Sequence, residues 1–359
     1  MRYLKLLYQI FKGEVIEIPA RIIMFLFIFV LFLVPVFTSN SYVLRILNVT
    51  AIFSIYAASW DLLGGFVGQI NLGQALFFAI GAYVAALLNL YFGWIPWITI
   101  PLGGVSSIIV GLFAGIPTLR LRGFYLALVT LTFPIIFAGL VHLFPDLSGG
   151  ELGLYGVKSL SNSHTLNYYI ILLIMLVSVF IIYKFSDAKS AFVRVGIILL
   201  AIREDEIAAR VSGIKTTRYK LGIYAMSAFF SGIAGAIYAH LSGVAGPSNL
   251  ELSFSFIVIL WTVFGGIGTI YGPVAGVYIL YPALQFIQVF PIGEELHGII
   301  MPITLILILL FMPEGITVWL RDKIETKCPR CKIINLITRQ KCRVCRAPLH
   351  LEEKKAVLP

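Results

Sequence analysis

Runs of roughly 20 residues with hardly a charge recur along almost the whole chain, each long enough to cross a hydrocarbon core of about 30 Å as a helix. They are continuously apolar and do not alternate, which argues against the strands of an outer-membrane barrel. The pattern predicts helices over residues 22–38, 43–63, 72–92, 95–117, 123–144, 166–184, 219–241, 254–270, 272–290 and 298–313. The expected fold class is therefore all-α: a polytopic membrane protein with about ten transmembrane helices, whose backbone polar groups are satisfied within each segment. The first stretch, Ile22 to Phe37, follows the basic residues Arg2, Lys5, Lys12 and Arg21. It lies too far in and is too long for a signal peptide, and no small-residue cleavage site follows it, so it reads as a retained helix.

Composition agrees. Of 359 residues, 59% are hydrophobic and 12% charged, whereas a soluble domain carries about 25% charged residues. The net charge of +10 matters less than where the charges lie. With the N-terminus inside, only Arg45 and Lys158 of the 27 basic residues fall outside, as the positive-inside rule requires. Both termini are then expected in the cytoplasm of a multi-pass plasma (inner) membrane protein. Residues 1–21 form a cytoplasmic segment, 22–320 the membrane domain with a long internal loop at 185–218, and 326–350 a cytoplasmic tail.

Glycines interrupt two apolar elements, at Gly64-Gly65-Phe66-Val67-Gly68-Gln69 and at Gly265-Gly266-Ile267-Gly268. Such breaks either line a cavity or permit close helix packing, and both readings stay open. Gln69, Asn71, Gln74, Thr130 and Thr132, with Ser255 and Thr262, are candidates for lining a path that hydrates a polar solute; alternatively they bond neighbouring helices. Asp61 is the main carboxylate near membrane depth, read either as functional or as a helix end at the interface.

The centre of the internal loop reads AIREDEIAARVSGI, residues 201–214. Ile202, Ile207, Val211 and Ile214 fall near one helical face, with Arg203, Glu204, Glu206 and Arg210 on others, and Gly213 suits a glycine C-cap. The pattern predicts one short helix. Its acids are poor partners for an anionic leaflet, so docking to a cytoplasmic protein is the better expectation.

This segment resembles the EAA-type coupling loop of the high-affinity branched-chain amino acid ABC permeases of LivM type. GGFVGQINLGQALFFAIGAYVAALL (64–88), LRGFYLALVTLTFPII (121–136), SGGELGL (148–154), YKLGIYAMSAFFSGIAGAIYAH (219–240) and FGGIGTIYGPVAGV (264–277) resemble segments of that family in the same order. The resemblance implies the permease subunit of an ATP-driven importer of branched-chain or related amino acids. It further implies a second, LivH-type permease subunit, two cytoplasmic ATPase subunits and an extracytoplasmic solute-binding protein, with lipid around the bundle. Ala201, Arg203, Glu204, Asp205, Glu206, Ala209 and Gly213 would then form the ATPase-coupling set. No G-x-x-x-x-G-K-[ST] occurs, so the chain is expected not to be an enzyme, and ATP to be bound by partner subunits. A urea or short-amide permease is the nearest alternative.

All four cysteines lie in the tail, as Cys328-Pro-Arg-Cys331 and Cys342-Arg-Val-Cys345. Two C-x-x-C knuckles close a tetrahedral thiolate site, so a structural zinc ribbon is expected, with iron as the rival metal. A cytoplasmic tail disfavours disulfides. The basic residues around the knuckles are compatible with lipid or the ATPase, and nucleic acid is not expected as a partner. An intramembrane enzyme would need clustered catalytic groups, and His142, His164, His240, His297 and His350 are scattered. A membrane-anchored zinc-ribbon adaptor is the remaining rival, and so many helices exceed what an anchor needs.

Overall fold

The computed structural model describes residues 19–38, 40–118, 121, 123–186, 195–269, 271–289, 310, 315–330, 334–336 and 345. The chain divides into two compact units, Asn40–Ile316 and the paired chain ends Met1–Ser39 with Thr317–Pro359. The chain ends contribute α1 (Pro19–Phe37) to the second of these units.

The larger unit is a helical bundle built from α2 (Ser41–Asp61), α3 (Gln74–Phe92), α4 (Pro96–Thr118), α5 (Phe124–Leu143), the single turn α6 (Pro145–Ser148) and α7 (His164–Ser186). It continues through α8 (Val195–Glu204), α9 (Glu206–Val211), α10 (Thr216–Ser242), α11 (Leu252–Gly265) and α12 (Tyr271–Val289). Local chemistry sets the ends. Asn40 caps α2 by accepting from the Tyr42 N–H at 3.0 Å. Left-handed Gly93 (φ 67°) closes α3, and Pro96 then starts α4, where a missing N–H costs nothing.

Six described helices are long and apolar enough to cross a membrane: α2 with the turn that follows it to Val67, α3, α4, α5, α7 and α10. The expectation of about ten is thus met only in part. The expected span at 254–270 is the 14-residue α11, because the chain breaks at Gly266 (φ 119°), and α1 has a short apolar part, Leu26–Phe37. The expected span at 298–313 lies almost wholly outside the described residues. The all-α expectation also misses two small two-stranded sheets. Leu154–Tyr155 (β1) pairs antiparallel with Val244–Ala245 (β2). In the tail, after α13 (Ile316–Ile324), Glu325–Lys327 (β3) pairs antiparallel with Ile334–Leu336 (β4).

Helix α2 runs through the centre of the bundle, buried almost throughout from Ile46 to Asp61, with Phe53 ringed by Phe78, Tyr238, Phe254, Trp261 and Tyr281. By contrast α5 turns Phe124, Ile135 and Ile136 outward, as a lipid- or subunit-facing helix does. A seam of small residues joins α3, α4 and α10. A Cβ at Gly81 would overlap the Gly232 carbonyl, and one at Gly235 the Phe78 carbonyl. One at Gly103 would come 2.8 Å from the Gly81 oxygen. For these helices close packing is what the glycines provide.

The two ends of the bundle differ. At one, Lys158 N–H donates to Asn89 Oδ1 at 2.9 Å, β1 meets β2, and buried His240 bridges Thr99 Oγ1 at 2.6 Å and the Lys158 carbonyl at 2.7 Å. The end of α2, the elbow of α8 and α9, and the Gly266–Gly268 turn meet at the other.

Candidate functional site

The elbow starts from Asp205. Its extended backbone (φ −153°, ψ 105°) ends α8, and its carboxylate accepts from the Ile207 and Ala208 N–H groups at 2.8 and 3.0 Å. That is an N-cap, so the single helix expected over this segment is two helices meeting at an angle. The signal was present in the sequence: an Asp followed directly by a helical Glu-Ile-Ala-Ala-Arg. Helix α9 closes on Gly213 (φ 86°), with Ile214 N–H donating to Ala209 O at 3.1 Å and Gly213 N–H to Arg210 O at 3.0 Å. This pair of bonds is a Schellman motif, and the C-cap expected at Gly213 is therefore present.

The break splits the coupling set into an inner and an outer group. Ile202 and Ala209 are buried, and Ala201 is half-buried. Glu206 turns back onto α10, paired to Lys220 Nζ at 2.7 Å and Arg210 Nη2 at 3.0 Å, while Thr216 Oγ1 donates to it at 3.4 Å. Glu204 and Asp205 face outward, together with Ile207 (60% exposed) and Val211 (84% exposed). Ile202, Ile207 and Val211 therefore do not share one face, because the cap at Asp205 reorients the second helix. Two apolar side chains amid acids, open at the tip of the elbow, were not singled out from sequence as surface residues.

Arg203 is an exposed residue, yet its Nη1 donates to the Gly65 carbonyl. Gly65 lies in a π-helical turn, Leu62–Val67, that extends α2 and ends at left-handed Gly68 (φ 74°). Asp61, 1% exposed, accepts at Oδ1 from the Gly268 N–H at 2.9 Å. The two glycine breaks thus meet each other at the elbow. Asp61 is a buried residue at a helix end.

The polar pathway candidates separate as well. Gln74 is fully buried; its Nε2 donates to Ser59 Oγ at 3.0 Å and Ser227 Oγ at 3.1 Å, and its Oε1 accepts from Asn71 Nδ2 at 2.9 Å. Asn71 Oδ1 accepts from Gly73 N–H at 2.9 Å and Asn71 O from Trp60 Nε1 at 2.7 Å. Thr130 Oγ1 accepts from Leu72 N–H at 3.1 Å, and Ser255 Oγ from Ala75 N–H at 3.0 Å. Thr130, Asn71 and Ser255 thus satisfy backbone donors at and just before the start of α3. Thr262 Oγ1 bonds to Val258 O within α11 at 2.8 Å and reaches Ala57 O of α2 at 3.4 Å. Thr132 stands apart, exposed and bonded to its own helix at Val129 O. Gln69 is buried, and its Oε1 has no hydrogen-bond partner among the described residues.

In the tail, Cys328 is buried and its Sγ lies 3.5 Å from Cys345 Sγ, while Cys331 and Cys342 lie outside the described residues. Among the described residues no three His, Cys, Asp or Glu side chains gather as a metal site, and His297 and His350 lie outside the described residues.

The family described as "Branched-chain amino acid transport system / permease component" matches residues 42–309, a stretch inside the larger unit. The high-affinity branched-chain amino acid transport system permease protein LivM of Salmonella typhimurium is 29% identical over 316 residues, covering 80% of this chain and 72% of that protein. LivM of Escherichia coli is 29% identical over 311 residues, 79% of this chain and 71% of its own. A probable branched-chain amino acid transport permease protein LivH of Methanocaldococcus jannaschii is 24% identical over 272 residues, covering 69% and 82%. No solved structure matches the chain. On the family match over most of its length, with the helices and glycine-broken elements in place, this chain belongs to the permease components of the branched-chain amino acid transport systems.

Proposed function

We propose that the chain is one permease subunit of an ATP-driven importer for branched-chain or related amino acids, lying in the plasma membrane with both termini and the elbow in the cytoplasm. The observation that carries this reading is the elbow. Its inner side is held to the bundle by Arg203 and by the Glu206–Lys220 pair, and its outer side leaves Glu204, Asp205, Ile207 and Val211 unburied. A lever needs both faces. The outer group, rather than Ala209 or Glu206, would seat in a cytoplasmic ATPase subunit, with a LivH-type subunit as the membrane partner and a solute-binding protein on the opposite side. Both LivM relatives are named for branched-chain amino acids, which favours that solute class over urea or short amides.

Replacing Glu204→Lys together with Val211→Asp alters only exposed side chains. The variant is expected to reach the membrane folded, and to lose at least tenfold in ATP hydrolysis stimulated by loaded solute-binding protein, the scale of a central interface contact. Wild-type stimulation in that variant would discard the elbow as the docking element. A cysteine placed at 208 is expected to react only from the cytoplasmic side; labelling from the exterior alone would overturn the orientation.

For the pathway we propose Gln69, Asn71, Gln74, Thr130 and Thr132. Gln69 holds spare acceptor capacity toward a zwitterion, and the bonded side chains of Asn71 and Gln74 would hold the start of α3 in place beside the path. We also propose a closed tetrathiolate site in the tail, with Cys328, Cys331, Cys342 and Cys345 as ligands. Two thiolates on one tetrahedral zinc at about 2.3 Å stand roughly 3.8 Å apart, and the 3.5 Å between Cys328 and Cys345 fits that far better than a disulfide of about 2.05 Å. Zinc there would be structural. Metal analysis of the purified protein should return one zinc per chain and no colour; a coloured, iron-loaded protein would assign iron instead.

A further inference from the structure

We infer that Arg203 and Asp61 are positioning residues that pin the two glycine breaks to the elbow, so that one displacement of the elbow is delivered to both breaks at once. The inference rests on reading the elbow as the ATPase contact.

Three stretches far apart in sequence converge here: the π-helical turn after α2, the Gly266–Gly268 turn after α11, and the end of α8. Each break frees backbone groups, and side chains from elsewhere take them up: Arg203 donates to Gly65 O, and Asp61 accepts from Gly268 N–H at 2.9 Å. The glycines are what admit those side chains. A Cβ at Gly65 would overlap Asp61 Oδ1 and stand 2.6 Å from Gly268 N. At Gly268 it would stand 2.8 Å from Arg203 Nη1, and at Gly68 3.3 Å from Arg203 Cγ. Gly68 and Gly268 also hold positive φ, 74° and 73°.

Two features make this a moving joint rather than a fixed staple. Arg203 is an exposed residue, so water can replace its protein partner once the elbow shifts. Asp61 Oδ2 is buried with no hydrogen-bond partner among the described residues. That oxygen is the second acceptor open to the guanidinium when it leaves Gly65, which gives the joint two discrete positions.

The test uses the assembled, full-length complex with spin labels at positions 70 and 267. Both lie on the breaks and are exposed, and a ketone-bearing residue for attachment leaves the tail cysteines untouched. In the wild type the 70–267 distance should change when the ATPases are trapped with ATP and vanadate, without any solute. In complexes isolated with their ATPases attached, Arg203→Ala should abolish the change, and Arg203→Lys, which keeps one charged donor, should restore most of it. Asp61→Asn keeps an acceptor for Gly268 but not the charge, and should cut solute-stimulated hydrolysis about tenfold, the scale of one charge-assisted hydrogen bond. An unchanged wild-type distance, or a full change in Arg203→Ala, overturns the inference. Because the distance is read without solute, a normal distance change with no amino acid uptake supports the joint and overturns only the transport reading.

Discussion

Two polar assemblies occupy this bundle, and they are built on opposite rules. The one at the start of α3 is neutral and buried: Asn71, Gln74, Ser59, Ser227 and Ser255 are each 2% exposed or less. The elbow uses charge, and its groups stand between buried and open: Lys220 keeps 9% of its side chain exposed, Glu206 18% and Arg210 57%. A neutral network without spare donors locks the helices it joins, because every alternative leaves an amide unsatisfied. A charged network at the water boundary trades protein partners for water at modest cost, and so suits a part that moves. The molecule is stiff at the start of α3 and yields at the elbow.

The comparison is broken most severely at the buried network. Asn71→Leu with Gln74→Leu removes four hydrogen bonds at about 0.6 kcal/mol each and forces branched chains into a packed site at a further ~1–3 kcal/mol. A loss of roughly 4 kcal/mol should show as failure to recover monodisperse protein in detergent. Glu206→Gln leaves Lys220 without its counter-ion; discounting the ~3–5 kcal/mol of a fully buried pair for partial exposure gives about 2 kcal/mol. It should lower the thermal midpoint and become milder in high salt. Asp205→Ala removes the cap of α9 for about 1 kcal/mol, and local hydrogen exchange at residues 207–208 should rise. Thr132→Val, outside both assemblies, should change the midpoint by less than about 0.5 kcal/mol equivalent.

The sequence carries much of this. Length and apolarity locate α2 to α5, α7 and α10 within a few residues, since few other patterns survive in lipid. Glycine spacing marks both breaks. Composition does not say that the breaks touch, because Asp61 and Gly268 are 207 residues apart and meet through a backbone N–H that any residue type carries. Nor does helical periodicity reveal that Glu206 faces inward, since it assumes an uninterrupted helix and the Asp205 cap restarts the phase. Of the polar candidates, Asn71, Gln74 and Thr130 meet at the start of α3, whereas Thr132, two positions along the helix of Thr130, points away.

The π-helical turn at Leu62–Val67 has a consequence for how insertions and deletions act on this chain. Its wider loops hold one residue more than α-helical winding would. Excising a single residue there would let ordinary winding resume, yet each residue carries about 100° of rotation. The Gly65 carbonyl would swing out of reach of its guanidinium, so this short stretch tolerates substitution on its outer side far better than any change of length.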